Sequence, residues 1–317
     1  MSTPQRRMGE ARTPDEQNAE AAIRMVPAWA GSESDIAYRM MVGGLNNRNW
    51  HIEVAGDDRS YFLKIPGDGT EIFINRATSY EAARHAHGVG IAPEVIFHDA
   101  NTGTEVHEFL EGHTTCTTAD FMRPDVREKV IRLFRTLHSG PVLSQVKTIF
   151  DLIDEHLEQA AELGSSMPED LPWLLHHYEK IRAAFTASGM DIVTCYNDPM
   201  PGNFLFSPTG ELKLIDYEFA SANERSYDIG VFACEMFLEE DETDALIETY
   251  FGSVTPQMQA RVNLCRILAD LKWGSWAVVN RKLTDWDFDF QKYGLWKYMR
   301  GRAMMMDPRF DSWLRHT

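Results

Sequence analysis

Short alternating runs dominate the front of the chain, and long 3.6-residue periodicity dominates the back. Asn49-Trp50-His51-Ile52-Glu53-Val54 alternates, and Arg59–Ile65 (RSYFLKI), Glu94–His98 and Thr104–Leu110 read as further strands. Gly43-Gly44-Leu45-Asn46-Asn47 gives the first hairpin a Gly/Asn tip. A helical run from about Glu71 to Gly88 interrupts these strands. From Pro124 onward Val126, Val130, Leu133, Phe134 and Leu137 form one apolar stripe, closed by Ser139-Gly140. Ile149–Leu163, Leu171–Ala187 and Arg261–Asn280 read as further helices. Among them lies a second set of short strands. Ile192–Cys195 runs into a polar loop, Phe204-Leu205-Phe206 follows, and a Ser207-Pro208-Thr209-Gly210 turn returns the chain through Leu214-Ile215-Asp216. The elements are those of an α+β protein.

Composition narrows the partners. The 317 residues carry 48 acidic and 31 basic side chains, net −17, which argues against a nucleic-acid partner and is compatible with a cationic small substrate. No apolar run is long enough to span a bilayer. Cys116, Cys195, Cys234 and Cys265 are scattered without metal-ligand spacing and read as free thiols of a reducing compartment, the cytoplasm. His138 and the pair His176-His177 have no second ligand at metal-binding spacing. Residues 1–28 are polar and charged for most of their length and read as a mobile tail.

The chemistry concentrates in CYNDPMPGNFLFSPTGELKLIDYE. Asp198 and Asn203 stand as D-x-x-x-x-N, and the hairpin that follows can bring Asp216 back beside them. Mg²⁺ takes oxygen ligands and keeps several waters, so one carboxylate and one amide suffice when a nucleotide supplies the rest. A second carboxylate can orient an attacking hydroxyl and accept its proton. The wording N-D-x-x-P-G-N-F-L, then L-I-D-Y-E-F-A and Y-D-I-G, together with IPGDGTEIFINR, resembles the choline/ethanolamine kinase family. The resemblance runs from about Met41 to Tyr298. It implies a two-lobed protein-kinase-like fold, with a small nucleotide-binding lobe over residues 29–107 and a helical lobe over 108–317 holding the catalytic loop and substrate pocket. It implies ATP and Mg²⁺ as cofactors, Asp198 as catalytic base, Asn203 and Asp216 as metal ligands, and Asp228 as a buried anchor of the loop.

In that layout Lys64 pairs with the α/β-phosphates, while Gly44, Asn46 and Asn47 offer backbone N–H groups to phosphate oxygens. The backbone around Glu108 and Leu110 meets adenine. Two positions depart from the pattern. Tyr196 replaces the usual His, and Ser79 stands where the acid partner of the lysine is commonly found, with Glu81 nearby on a different face. The acid partner of Lys64 is left open.

Past Asp228 the chain is rich in aromatics, most of which belong in a core. A quaternary ammonium is nevertheless held best by several aromatic faces. By the resemblance Trp273, Trp276 and Tyr293 line a choline pocket, with Glu235 as its acid, and Glu240 takes a place where some members have an aromatic. The expected reaction is ATP-dependent phosphorylation of a small amino alcohol, with choline as first candidate and ethanolamine next. An aminoglycoside-type phosphotransferase and a nucleotide-binding pseudokinase are the alternatives. The sequence leaves a homodimer open.

Overall fold

The structure is a computed structural model and describes residues 4–43, 47–67, 69–284 and 286–317. Its first layer is a six-stranded sheet built from β1 (Arg6–Arg7), β2 (Ile36–Met41), β3 (Asn47–Val54), β4 (Ser60–Pro66), β5 (Val95–His98) and β6 (Glu105–Glu108), in the order β1-β2-β3-β4-β6-β5. Every adjacent pair is antiparallel. Helix α1 (Pro14–Arg24) packs on this sheet, and α2 (Arg76–Gly88) comes between β4 and β5 in the chain.

The segment expected to be a mobile tail is folded against the sheet over its described residues. Thr13 and Glu16 form a capping box, and Pro14 stands in the first turn, so α1 has a defined start. Ala19, Ile23, Val26 and Trp29 share one apolar core with Tyr38, Trp50, Ile52 and Leu63. Glu20 is buried there, accepting from the Tyr38 hydroxyl (2.8 Å) and from the Gly9 and Ala11 N–H groups (2.8 and 3.0 Å). The polar composition concealed this because apolar positions are few and the buried acid is fully hydrogen-bonded.

The chain then enters a mainly helical lobe through β7 (Thr114–Thr115) and the short helix α3 (Thr118–Phe121). Helix α4 (Pro124–His138) buries the stripe expected of it, Val126, Val130, Leu133, Phe134 and Leu137. Next come α5 (Ile149–Glu162), α6 (Leu171–Ser188), β8 (Ile192–Cys195), the hairpin β9 (Phe204–Phe206) and β10 (Leu212–Leu214), and β11 (Ser221–Glu224). The lobe closes with α7 (Arg225–Glu235), α8 (Glu240–Phe251), α9 (Pro256–Leu283), α10 (Phe290–Met305) and α11 (Phe310–His316). None of the helices is long and apolar enough to cross a membrane, among the described residues. Helices α7 and α9 touch through Gly230, where an added Cβ would lie 2.8 Å from the Cys265 Cβ and 3.0 Å from the Val262 carbonyl. Only a residue without a side chain allows that approach.

Candidate active site

Strand β8 delivers the chain to a tightly held loop. Asn197 has a left-handed backbone (φ 68°), a conformation that costs an ordinary residue about 1 kcal/mol or more. Its side chain offsets that cost by donating to the Phe219 carbonyl and the Ser221 hydroxyl (both 2.8 Å) and by accepting from Asn223 (3.0 Å). The Asp228 carboxylate, fully buried in the first turn of α7, accepts the N–H groups of Tyr196 and Asn197 (both 2.7 Å) and bonds His138 (2.9 Å). Asp228 thus anchors the loop. His138, Cys195 and Asp228 lie close together, but these bonds, the Tyr250 hydroxyl on His138 and the backbone carbonyls accepting from Cys195 occupy their polar atoms.

Asp198, Asn203 and Asp216 come together. The Asn203 side-chain amide donates to both the carbonyl (3.2 Å) and the carboxylate (3.3 Å) of Asp198. The Ile215 N–H donates to the Asn203 carbonyl (3.0 Å), which brings the returning hairpin alongside, and Asp216 follows at φ 63°. Tyr196 spans the same junction, its hydroxyl donating to the Ile215 carbonyl (2.7 Å). Burial pushes the Asp198 carboxyl up to about 7. Lys272 pulls it back, while the Asp216 and Glu235 charges add to the rise.

Lys64 joins this cluster from β4. Its ammonium is buried between Glu105 (3.1 Å), Glu218 (3.1 Å) and Asp216 (3.4 Å). Burial alone would disfavour its charge, but the three carboxylates outweigh it and hold the amine well above the ordinary lysine range. Burial likewise works against the Glu105 charge, and the Lys64 ammonium keeps that carboxyl well below its usual range.

The acid partners left open by sequence are therefore Glu105 and Glu218. Glu81 instead accepts from the backbone and hydroxyl of Ser144 (3.0 and 2.6 Å). Glu105 meets the lysine because antiparallel pairing of β4 with β6 sets it opposite Lys64. Asn47 donates through its side chain to Glu218 (2.9 Å). Gly44 and Asn46 lie outside the described residues. At the exit from the sheet the Glu108 N–H is used by Glu94, whereas the Leu110 N–H meets no partner among the described residues.

An aromatic group borders the cluster. Trp273 and Trp276 stand edge to face at 5.5 Å on α9, Tyr293 of α10 is 6.1 Å from Trp276, and Phe219 is 5.2 Å from Trp273. Burial raises the Tyr293 phenol well above its ordinary value, helped by the Glu235 and Asp198 charges, and Phe219, whose carbonyl accepts from Asn197 next to Asp198, ties the group to the loop. Glu235 is not a free acid. Lys297 pairs with it directly, and Arg300 lies 3.6 Å away. The expected acidic attraction for a substrate ammonium is thus already compensated by the protein. Glu240 lies elsewhere, paired with Arg309 (2.6 Å). Sequence reading passed over Lys272, which stands directly before Trp273 and places its amine 2.9 Å from the centre of that ring.

The sequence model of choline/ethanolamine kinases matches residues 38–250, more than half of the chain. The chain belongs to the choline/ethanolamine kinase family. This family member is 25% identical to probable choline kinase 1 of Arabidopsis thaliana, over 86% of this chain and 84% of that one. Its fold is similar to a choline/ethanolamine kinase family protein of Mesorhizobium loti, with a TM-score of 0.79, 27% identity, and 95% and 98% of the two chains covered. It is also similar to the choline kinase LicA of Streptococcus pneumoniae, with a TM-score of 0.75, 21% identity, and 92% and 99% covered. The small sheet lobe and large helical lobe of this kinase-family chain are the protein-kinase-like arrangement expected from its motifs.

Proposed function

We propose that the protein transfers the terminal phosphoryl group of ATP to the hydroxyl of a small amino alcohol, giving ADP and the phosphorylated alcohol. The observation that carries this reading is the meeting of Asp198, Asn203, Asp216 and Lys64 beside a group of aromatic side chains. Phosphoryl transfer depends mainly on positioning and charge stabilisation, and each of these side chains supplies one part of that. Asp198 orients the alcohol and takes its proton. Its carboxyl, poised near neutrality, suits a base that gains and releases a proton in each turnover. Lys64, held charged by its carboxylates, takes the nucleotide's α- and β-phosphates, and the Leu110 N–H, without a partner among the described residues, suits an adenine nitrogen.

Asn203 and Asp216 fit Mg²⁺. Both are hard oxygen donors, and the Asn203 amide N–H groups are turned to Asp198, leaving its carbonyl oxygen to face a cation. When bound, the ion would neutralise charge on the phosphates. Four free, buried cysteines support a reducing, cytoplasmic setting.

ADP release coupled to a reporter enzyme tests the reading, with choline, ethanolamine, a hydroxy amino acid and an aminoglycoside each supplied in turn. Alcohol-dependent release that disappears in Asp198→Ala, with ATP still bound, is the expected result. ATP binding without release for every alcohol would favour a pseudokinase, and release with the aminoglycoside alone would move the protein to that class.

A further inference from the structure

The aromatic group read as a choline pocket already holds an amine. Lys272 Nζ sits 2.9 Å from the ring centre of Trp273 and 4.4 Å from that of Phe219. Its residue is 1% exposed, and the nitrogen has no hydrogen-bond partner among the described residues. A trimethylammonium group would need the same ring face, which the Lys272 side chain already covers, so the two exclude each other.

Glu235, the acid expected to attract a cationic substrate, is already engaged. Glu235 is paired with Lys297 and faces Arg300, and Arg300 itself forks onto Asp270 (2.6 Å). What remains unpaired is donor capacity. Besides Lys272 Nζ, the Trp276 indole N–H of the same group is buried without a partner among the described residues. A buried donor left unmatched is destabilising, so these two groups call for an acceptor that arrives with the substrate. Choline has no such acceptor beyond the hydroxyl that reacts.

We propose that Lys272 determines acceptor specificity, and that the acceptor is a zwitterionic amino alcohol whose carboxylate lies on the Lys272 amine. The inference rests on the phosphotransferase reading above and names the class of alcohol within it. The carboxylate takes the Lys272 and Trp276 donors, and the hydroxyl points to Asp198. Burial pushes the Lys272 amine well below its ordinary value, with Asp198 pulling the other way, and an incoming carboxylate would add to that pull.

The test compares L-serine, L-homoserine, ethanolamine and choline as acceptors in the ADP-release assay, for the wild-type protein and for Lys272→Met. Methionine matches the lysine stem in length and is at ease in an apolar site, and a thermal melt verifies that the variant is folded. Lys272→Gln, which retains donors without the charge, is carried alongside. The expected result is a hydroxy amino acid preferred over choline in the wild type. Lys272→Met then loses roughly 30-fold or more in kcat/KM for it, mostly through KM, because the carboxylate is left without its partner. Choline turnover rises in the same variant, and Lys272→Gln falls between. Choline preferred by the wild type would overturn the assignment while leaving the phosphotransferase reading intact. An equal loss for all acceptors in kcat alone would overturn it too, by placing Lys272 on the phosphoryl group. No release with any alcohol would remove both readings.

Discussion

Lys64 and Glu105 face each other across the β4–β6 ladder, with Nζ and Oε2 3.1 Å apart, and both are buried. The lysine is thus positioned from within its own sheet, with Glu218 of the other lobe meeting it from the far side. Glu105 is itself steadied by His107 (3.0 Å). Breaking one member of a buried charge pair is costly because the other is left uncompensated. Glu105→Gln should therefore lower kcat/KM for ATP by about tenfold or more, whereas Glu81→Gln, which loses only an exposed contact to Ser144, should leave it unchanged. Steady-state kinetics at varied ATP separates the two.

The pH profile follows from Asp198. Its carboxyl titrates near 7, so kcat/KM for the alcohol should climb as pH rises toward 7 and level off above it. Stability runs the other way. The folded-state value lies above the unfolded 3.8, so the native protein binds the extra proton between those values, and the contribution of this group falls as pH rises through that window. Asp198→Asn should abolish turnover yet raise Tm at pH 8 by about 3 °C, as removing an unfavourable buried charge requires. An unchanged Tm would contradict the burial argument.

Tyr196 should act on rate more than on binding. Tyr196→Phe keeps the ring packed edge-on to Phe204 and Tyr217 but strands the Ile215 carbonyl. The expected loss is about 1 kcal/mol of stability with a lowered kcat and an unaltered KM for ATP. A larger change in ATP KM than in kcat would assign the hydroxyl to the nucleotide instead.

The N-terminal helix is a structural part of the small lobe. Ile23 is fully buried, and Ile23→Ala should cost about 2–4 kcal/mol, read by urea unfolding. A loss below about 0.5 kcal/mol would return this segment to the status of a tail.

Legibility varied with the kind of information each feature needs. The α4 stripe and the β9–β10 hairpin follow from local periodicity and a Pro-Gly turn, and both were readable. Asp198, Asn203 and Asp216 were readable as a group because the hairpin between them is short enough to fix their relation from the chain itself. Glu105 needed a strand register, and strand register depends on partners distant in sequence. The packing of α1 escaped notice because its apolar positions are small or few and its acids bond to N–H groups of its own leading loop. Lys272 was visible in KWGSW, but a lysine beside aromatics reads as surface until the structure shows its nitrogen buried.

Gly230 fuses two working surfaces into one block. Helix α7 bears the Asp228 anchor of the Asp198 loop, and α9 bears Trp273, Trp276 and Lys272, so backbone contact between them fixes the proposed alcohol-binding wall to the proposed catalytic loop. The upper sheet is tied to the segment after β10 by side chains of its own, Lys64 and Asn47, which both meet Glu218.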